Sequence, residues 1–279
     1  MPSVAVVGSI NLDLVATVTS LPEPGETLTS TGLAYVPGGK GANQAVGAAR
    51  LGADVRFIGA VGDDDFGRQA VAGLRGAGVD LARTQVVAGA TGIALIVVDE
   101  DGDNQIVVVP GANHALDAGQ VDIGEPEALI SQLEVRDDAI QAGLQGFDGF
   151  FCLNAAPARE VALEILERAD LIVANSLELE ALGSSPMGTL FALTLGAEGA
   201  LLLDDGVEVA RAAPPRVDAV DGTAAGDAFT ACLVVSLLEG RERDEALRRA
   251  CAAGALAASR PGAQPSLPTA AEVDEILAA

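Results

Sequence analysis

"GANQAVGAARLGADVRFIGAVGDDDFGRQAVAGLRGAGV", residues 41–79, holds a helix, a strand and a second helix in thirty-nine residues. "GANQAVGAARLGA" (41–53) sets small apolar residues at helical spacing and stops on Gly. "VRFIGAVGDD" (55–64) is a short apolar run that reads as one strand, and "DFGRQAVAGLRGAGV" (65–79) resumes helical spacing behind an Asp. Upstream, "SVAVVGSI" (3–10) is a β-branched run ended by Gly, the form of a buried strand. Strand–helix alternation of this kind builds a parallel sheet covered by helices, so the expected class is α/β.

Two stretches break that rhythm. "ATVTSLP" (16–22) and "ETLTSTGLAYV" (26–36) are Thr-rich and alternating, and they flank the turn "PEPGE". "TGIALIVVDEDGDNQIVVVPGAN" (91–113) is a hairpin, two Val/Ile runs around an acidic turn with Gly. Strands around 14–20, 28–36 and 92–109 are expected to form a small separate sheet with an apolar face. Alternation resumes in "GFFCLNAAPARE" (149–160), "ERADLIVANSLELEAL" (167–182) and "LFALTLGAEGALLLDDG" (190–206). Helices "EALRRACAAGALAASR" (245–260) and "AAEVDEILAA" (270–279) end the chain. No repeat or linker divides it, so one domain over 1–279 is expected, with inserted segments at about 12–38 and 91–113.

Composition narrows the function classes. The 279 residues carry a formal charge of −24, which opposes general affinity for nucleic acid or an anionic membrane surface. Cys152, Cys232 and Cys251 are odd in number and lie in apolar stretches, as small buried hydrophobes of a reducing compartment do. A lone His114 rules out a multi-histidine metal site. "MPSVAVVGSINLDL" has no basic leader and too short an apolar run for a signal peptide or membrane span, so the expected compartment is the cytoplasm.

Three constellations carry chemistry. In "VPGGKGANQA" (36–45), glycines, Lys40 and Asn43 lead into a helix whose first amides are free for a polar ligand. The spacing is neither a P-loop nor a dinucleotide fingerprint, and a plain glycine turn is the alternative. In "GSINLDL" (8–14), Asn11 and Asp13 stand two apart past the first strand, on one side of an extended segment and suited to sugar hydroxyls. An Asx-stabilised turn is the competing account. In "AVDGTAAGDAF" (219–229), Thr223, Ala224, Ala225 and Gly226 can aim successive amides at one anion. Asp227 there is either a helix cap or a general base beside that anion.

Taken together, these stretches resemble the ribokinases of the PfkB family of sugar kinases. The similarity runs nearly end to end through "GSINLDL", "PGGKGANQA" with "ARLGA", "GDDDFG", "VPGAN", "LNAAPARE", "TLGAEG", "AVDGTAAGDAF" and "RPGAQPS". The resemblance implies a Rossmann-like three-layer core with a small β-sheet lid that often mediates homodimers. It implies ATP-dependent phosphorylation of ribose at the 5-hydroxyl, with Mg²⁺ and an activating monovalent cation, commonly K⁺. Position by position, it makes Asp227 the catalytic base and Ala224, Ala225 and Gly226 the anion hole. The implied sugar contacts are Asn11, Asp13, Gly39, Lys40, Asn43 and, in "SQLEV", Glu134. The implied cation ligands are the Asp221 side chain and the carbonyls of Thr223, Ala257 and Gly262, with Ser266 completing their loop. Thr194 and Gly196 are the implied nucleotide shelf. Another PfkB sugar or nucleoside kinase and a non-catalytic sugar- or nucleotide-binding protein are the alternatives.

Two departures from the family pattern bear on the nucleotide side. Where the family has Asn-Glu-x-Glu, this chain has "NSLE", keeping Asn175 and Glu178 but placing Ser176 between them. That region organises water around Mg²⁺ in the family, so altered metal affinity is expected. Eighteen residues separate Asn175 from Thr194, and "GSSPMGTLFALTLG" (183–196) leaves room for a loop and a strand but hardly a helix. A more open adenine side follows as an expectation.

Overall fold

The structure of the chain, a computed structural model, describes residues 1–100, 102–183 and 188–279. Strand β1 (Ser3–Val7) decides the layering by parity. Val4 and Val6 enter one apolar cluster while Ala5 and Val7 enter the other, because successive side chains leave opposite faces. A strand buried on both faces needs a layer on each.

The chain continues through β2 (Asn11–Thr17), β3 (Gly32–Gly38), α1 (Lys40–Arg50), β4 (Asp54–Ile58), β5 (Ala60–Gly62) and α2 (Asp65–Gly76). Next come β6 (Gln85–Val87), β7 (Gly92–Val98), β8 (Asn104–Val109), β9 (Ala128–Gln132), α3 (Asp137–Leu144) and β10 (Phe150–Asn154). A single turn, α4 (Leu163–Leu166), precedes β11 (Leu171–Asn175), α5 (Ser176–Leu182), β12 (Leu190–Thr194), β13 (Ala200–Asp204) and β14 (Val207–Ala212). The end is helical: α6 (Ala225–Leu238), α7 (Arg243–Ala258), the single turn α8 (Ala263–Ser266) and α9 (Ala270–Ala278).

The main sheet has the order β14-β13-β12-β11-β10-β9-β1-β4, parallel from β12 to β4 and antiparallel at β13 and β14. Helices α1, α2, α6, α7 and α9 cover one face and α3, α4 and α5 the other. Helix α6 is apolar on all sides because it is wedged between α1 and α7. All three cysteines are free and buried, as expected, and burial pushes their thiols up. Among the described residues no helix is long and apolar enough to cross a membrane.

The interrupting segments form a second sheet, ordered β3-β2-β7-β8. Strand β2 starts at Asn11, earlier than expected, three residues after β1 ends. Two fasteners hold this sheet to the core. Asp64 caps α2 through the Gly67 amide (2.7 Å) and also accepts the Thr91 amide (2.9 Å) and hydroxyl (2.6 Å), just ahead of β7. Tyr35 of β3 packs on Phe66 of α2 with ring centroids 6.2 Å apart.

The single strand expected over 55–64 is two. It breaks at Gly59, where a Cβ would stand 2.6 Å from the Gly8 carbonyl oxygen, so β5 leaves the main sheet and pairs with β6. A second close approach sets the start of α1. A Cβ on Gly41 would stand 2.6 Å from the Ser9 amide nitrogen and 2.7 Å from the Gly8 backbone. Gly41→Ala should therefore destabilise by about 1–3 kcal/mol, lowering Tm by roughly 2–10 °C in a thermal melt. Gly76→Ala, whose added Cβ meets nothing within 4 Å, should leave Tm unchanged or slightly higher.

Candidate active site

The parallel strands end at one edge of the main sheet, where ligands of open α/β sheets collect. A cavity of about 1020 Å³ lies there, roofed by the second sheet. Asn11 and Asp13 enter it from β2, Gly39, Lys40 and Asn43 from the start of α1, and Glu134 from behind β9. Asn175, Glu178 and Thr194 border it from β11, α5 and β12, and the turn into α6 closes it. Residues far apart in sequence thus meet around one cavity.

The start of α1 is built by contact with the β1–β2 turn. Gly39 holds φ +88, and a Cβ there would stand 2.8 Å from both the Asn11 amide nitrogen and the Ile10 Cα. Having no side chain, Gly39 cannot cap the helix, and Glu134 does so from outside. Its Oε2 accepts the Lys40 amide at 3.0 Å and the Ser9 hydroxyl at 2.5 Å. Ser9 Oγ in turn accepts the Gly41 amide at 3.3 Å. A carboxylate at a helix N-terminus is favoured by the aligned peptide dipoles. Asn11 Oδ1 accepts from Asn113 Nδ2 at 2.7 Å, and Asn113 Oδ1 accepts the Ile10 amide at 2.9 Å.

Asp227 does not cap α6. The N-cap position is Ala224, and the Asp227 carboxylate turns inward, accepting from Asn43 Nδ2 and Gln44 Nε2 at 2.9 Å each. Burial drives its pKa up, opposed by Lys40 and those two amides. Asp13 is pushed to about 7, first by burial and then by repulsion from Glu134 and Asp227. Burial works to lower Lys40, but the carboxylates of Asp227, Glu134, Glu178 and Asp13 hold its pKa above the ordinary value. Asp13 Oδ1 and Asn43 Oδ1 are buried acceptors with no hydrogen-bond partner.

The turn before α6 differs in detail from the expected nest. The Thr223 amide donates to Asp221 Oδ1 (2.9 Å) and the Ala225 amide to the Gly222 carbonyl (3.2 Å). Ala225 does not border the cavity, whereas Thr223, Ala224 and Gly226 do. Ala224 adopts a left-handed conformation, φ 62. Between Val220 and Ala228, the amides of Gly222, Ala224, Gly226 and Asp227 have no acceptor.

The nucleotide-side and cation positions divide. Asn175 and Glu178 form a capping box, side chain to amide in both directions (2.9 and 2.8 Å), and it starts a seven-residue α5. Helix α5 ends before 183–196, the stretch expected to hold a loop and a strand, whose described residues carry β12; part of "GSSPMG", residues 184–187, lies outside the described residues. Gly196 opens a 3-10 turn and does not border the cavity. Asp221, Thr223 and Gly262 border a neighbouring cavity of about 730 Å³, with Asp13 between the two. Burial tends to raise Asp221, but bonds from Thr223 and the Gly262 amide (2.8 Å) hold it low. Ala257 and Ser266 border neither cavity; the Ala257 carbonyl accepts the Arg260 amide at 3.2 Å and Ser266 donates to the Ala263 carbonyl at 2.7 Å.

Sequence reading gave no role to Ser9, Asn113, Gln132 or Asn154, and took Gln44 only with Lys40 and Asn43 as a polar helix start suited to a ligand; all five are buried. The signal available was polarity inside apolar runs, as in "GANQAVG" and "FFCLN".

Known proteins resemble this chain along its length. Residues 1–270 match the pfkB family carbohydrate kinases. The chain is 38% identical over 300 residues to a ribokinase of Bacillus subtilis, covering 99% of this chain and 100% of that one. It superposes on the crystal structure of a Thermotoga maritima ribokinase with TM-score 0.91 and 32% identity, covering all of both chains. An Arabidopsis thaliana ribokinase structure complexed with ribose and ATP matches with TM-score 0.87 and 29% identity, covering 99% of this chain and 98% of that one. Shared along nearly its whole length, the similarity makes this chain a member of the pfkB family of carbohydrate kinases.

Proposed function

We propose that the protein transfers the γ-phosphoryl group of ATP to the 5-hydroxyl of D-ribose, giving ribose 5-phosphate. The observation that carries the reading is the pair of buried, partnerless acceptors, Asp13 Oδ1 and Asn43 Oδ1, in one cavity with Asp227 and Lys40. Buried acceptors without donors are costly, and a ring of hydroxyls supplies the missing donors. The ribose- and ATP-bound relative supports the choice of sugar and nucleotide.

In this reading Asn11, Asp13, Lys40, Asn43 and Glu134, with the Gly39 backbone, hold the sugar. Asp227 accepts the proton of the 5-hydroxyl as its oxygen bonds to the γ-phosphorus and the bond to the ADP oxygen breaks. The free amides of Ala224, Gly226 and Asp227 face the charge that builds on the transferred group. Thr194 and Gly196 support the nucleotide. Mg²⁺ bound with ATP neutralises phosphate charge, and Asn175 and Glu178, whose Oε1 is outside the capping box, are the residues for its water shell. Asp221, Thr223 and Gly262, which border a cavity next to the amides, fit a monovalent cation better than Ala257 and Ser266, which border neither cavity. We read the second sheet as the lid. Its exposed Leu33, Tyr35, Leu95 and Val107, on the face turned away from the cavity, favour a homodimer through that sheet, and the three unpaired cysteines favour the cytoplasm.

Three outcomes test this. Asp227→Asn should bind ribose and ATP yet lose about 10²–10⁴-fold in kcat, because the amide cannot take the proton; near-normal turnover would remove Asp227 from the chemistry. Asp13, at about 7 in the folded chain against an ordinary 3.8, binds more protons folded than unfolded between those values. Stability of the ligand-free protein should therefore fall as pH rises through that window. A sugar hydroxyl donating to Asp13 favours its ionised form, so ribose affinity by calorimetry should weaken below pH 7, by up to about tenfold per pH unit. Asp13→Asn should flatten that dependence. Initial rates in KCl should exceed those in NaCl, and Asp221→Ala should erase the difference.

A further inference from the structure

Asp227 is held by a side chain that never reaches the cavity. Gln44 lies one residue beyond Asn43 on α1, fully buried, and its side chain has three partners. Nε2 donates to Asp227 Oδ1 and to Asn154 Oδ1, both at 2.9 Å. Oε1 accepts from Gln132 Nε2 at 2.6 Å. Asn154 Nδ2 reaches the Val173 carbonyl at 3.2 Å. The ends of β9, β10 and β11 are thereby tied to one glutamine.

The directions of these amides are forced. A carboxylate only accepts, so Gln44 must turn its NH₂ toward Asp227. That leaves Gln44 Oε1 facing Gln132, which must then turn its own NH₂ inward. The consequence is visible: Gln132 Oε1 is buried with no partner. It lies so close to Gly8 that a Cβ there would come within 2.2 Å of it. An orphaned buried acceptor is destabilising, and flipping Gln132 would only aim its oxygen at that of Gln44.

The geometry points to Gln44, oriented by Gln132, as the positioning residue that keeps Asp227 ionised and aimed at the substrate hydroxyl. The inference rests on Asp227 acting as the base. The charges facing Asp227 are Lys40 of α1, Asp13 of β2, Glu134 behind β9 and Glu178 of α5. Three of these four are acids that oppose a second negative charge. Lys40 and the amide donors of Asn43 and Gln44 work against them and against burial. Removing the Gln44 donor shifts this balance toward the protonated, inactive acid.

The test is the pH profile of Gln44→Met and Gln132→Met, with Asp227→Asn alongside. Met keeps the length of Gln and removes both donor and acceptor. In Gln44→Met the acid side of the kcat profile should move up by about one to two pH units, the size of one charge-assisted hydrogen bond. Turnover should recover at high pH, with KM for ribose within about threefold of wild type. Gln132→Met should move the same limb by less. In wild-type protein the side-chain ¹⁵NH₂ signals of two buried glutamines should shift across the pH range in which kcat falls, a readout independent of whether either variant folds. A loss equal at every pH, an unmoved profile in a folded variant, or glutamine signals indifferent to that pH range would overturn the relay. An inactive Asp227→Asn beside an unmoved Gln44→Met removes the relay alone; an active Asp227→Asn removes the base itself.

Discussion

The rest of the site follows from one constraint: a carboxylate, Asp227, is placed where water scarcely reaches it. Ionised groups are buried only at high cost unless charge and hydrogen bonds offset their lost hydration. Two neutral amides and one lysine do so here, and all three come from the first five residues of α1. Helix α1 must therefore begin within reach of α6. The bare backbone at Gly39 and Gly41 permits that, and a side chain at either would push the helix off the β1–β2 turn. Packing between two helices and the chemistry of a carboxylate are thus settled by the same contact.

Four carboxylates act on Lys40 across the cavity, and they are unequal. Glu134 is occupied by the helix start and the Ser9 hydroxyl, and Glu178 is partly engaged by the Asn175 amide. Asp13 has no comparable donors and is the one whose pKa rises to about 7. The environment thus sets them apart: one acid accepts two side-chain amides against the pull of burial, two are tied to helix starts, and one has a buried oxygen with no partner. Carboxylates whose surroundings push them apart are how a fold separates binding from proton transfer.

The layers and the meeting of distant motifs were legible in sequence because each rests on a strong local signal. Period-two burial in "SVAVV", helical spacing in "GANQAVGAARLGA" and the bare turn before Asp227 are examples. Polar residues inside apolar runs were not. Gln44 is spaced as a core residue and Asn154 ends a buried strand, and only the three-dimensional partners show that Gln44 donates to a buried carboxylate and that Asn154 accepts from Gln44. The break at Gly59 was hidden because it depends on the Gly8 carbonyl, fifty-one residues upstream. That Asp227 turns inward and does not cap α6 also required coordinates, since an acid in the first turn of a helix can do either. Ala225 shows the same limit, its amide being spent on a carbonyl three residues back.

Ala224 has one further consequence. An L-residue with a Cβ has a single narrow left-handed basin, and occupying it costs about 1–2 kcal/mol. Glycine would occupy that region freely but would wander among several others. An alanine held at φ 62 by its neighbours leaves the adjoining amides with little orientational disorder to lose. The entropy of organising the turn is thus spent when the chain folds, and the proposed transfer would use donors that are already immobile.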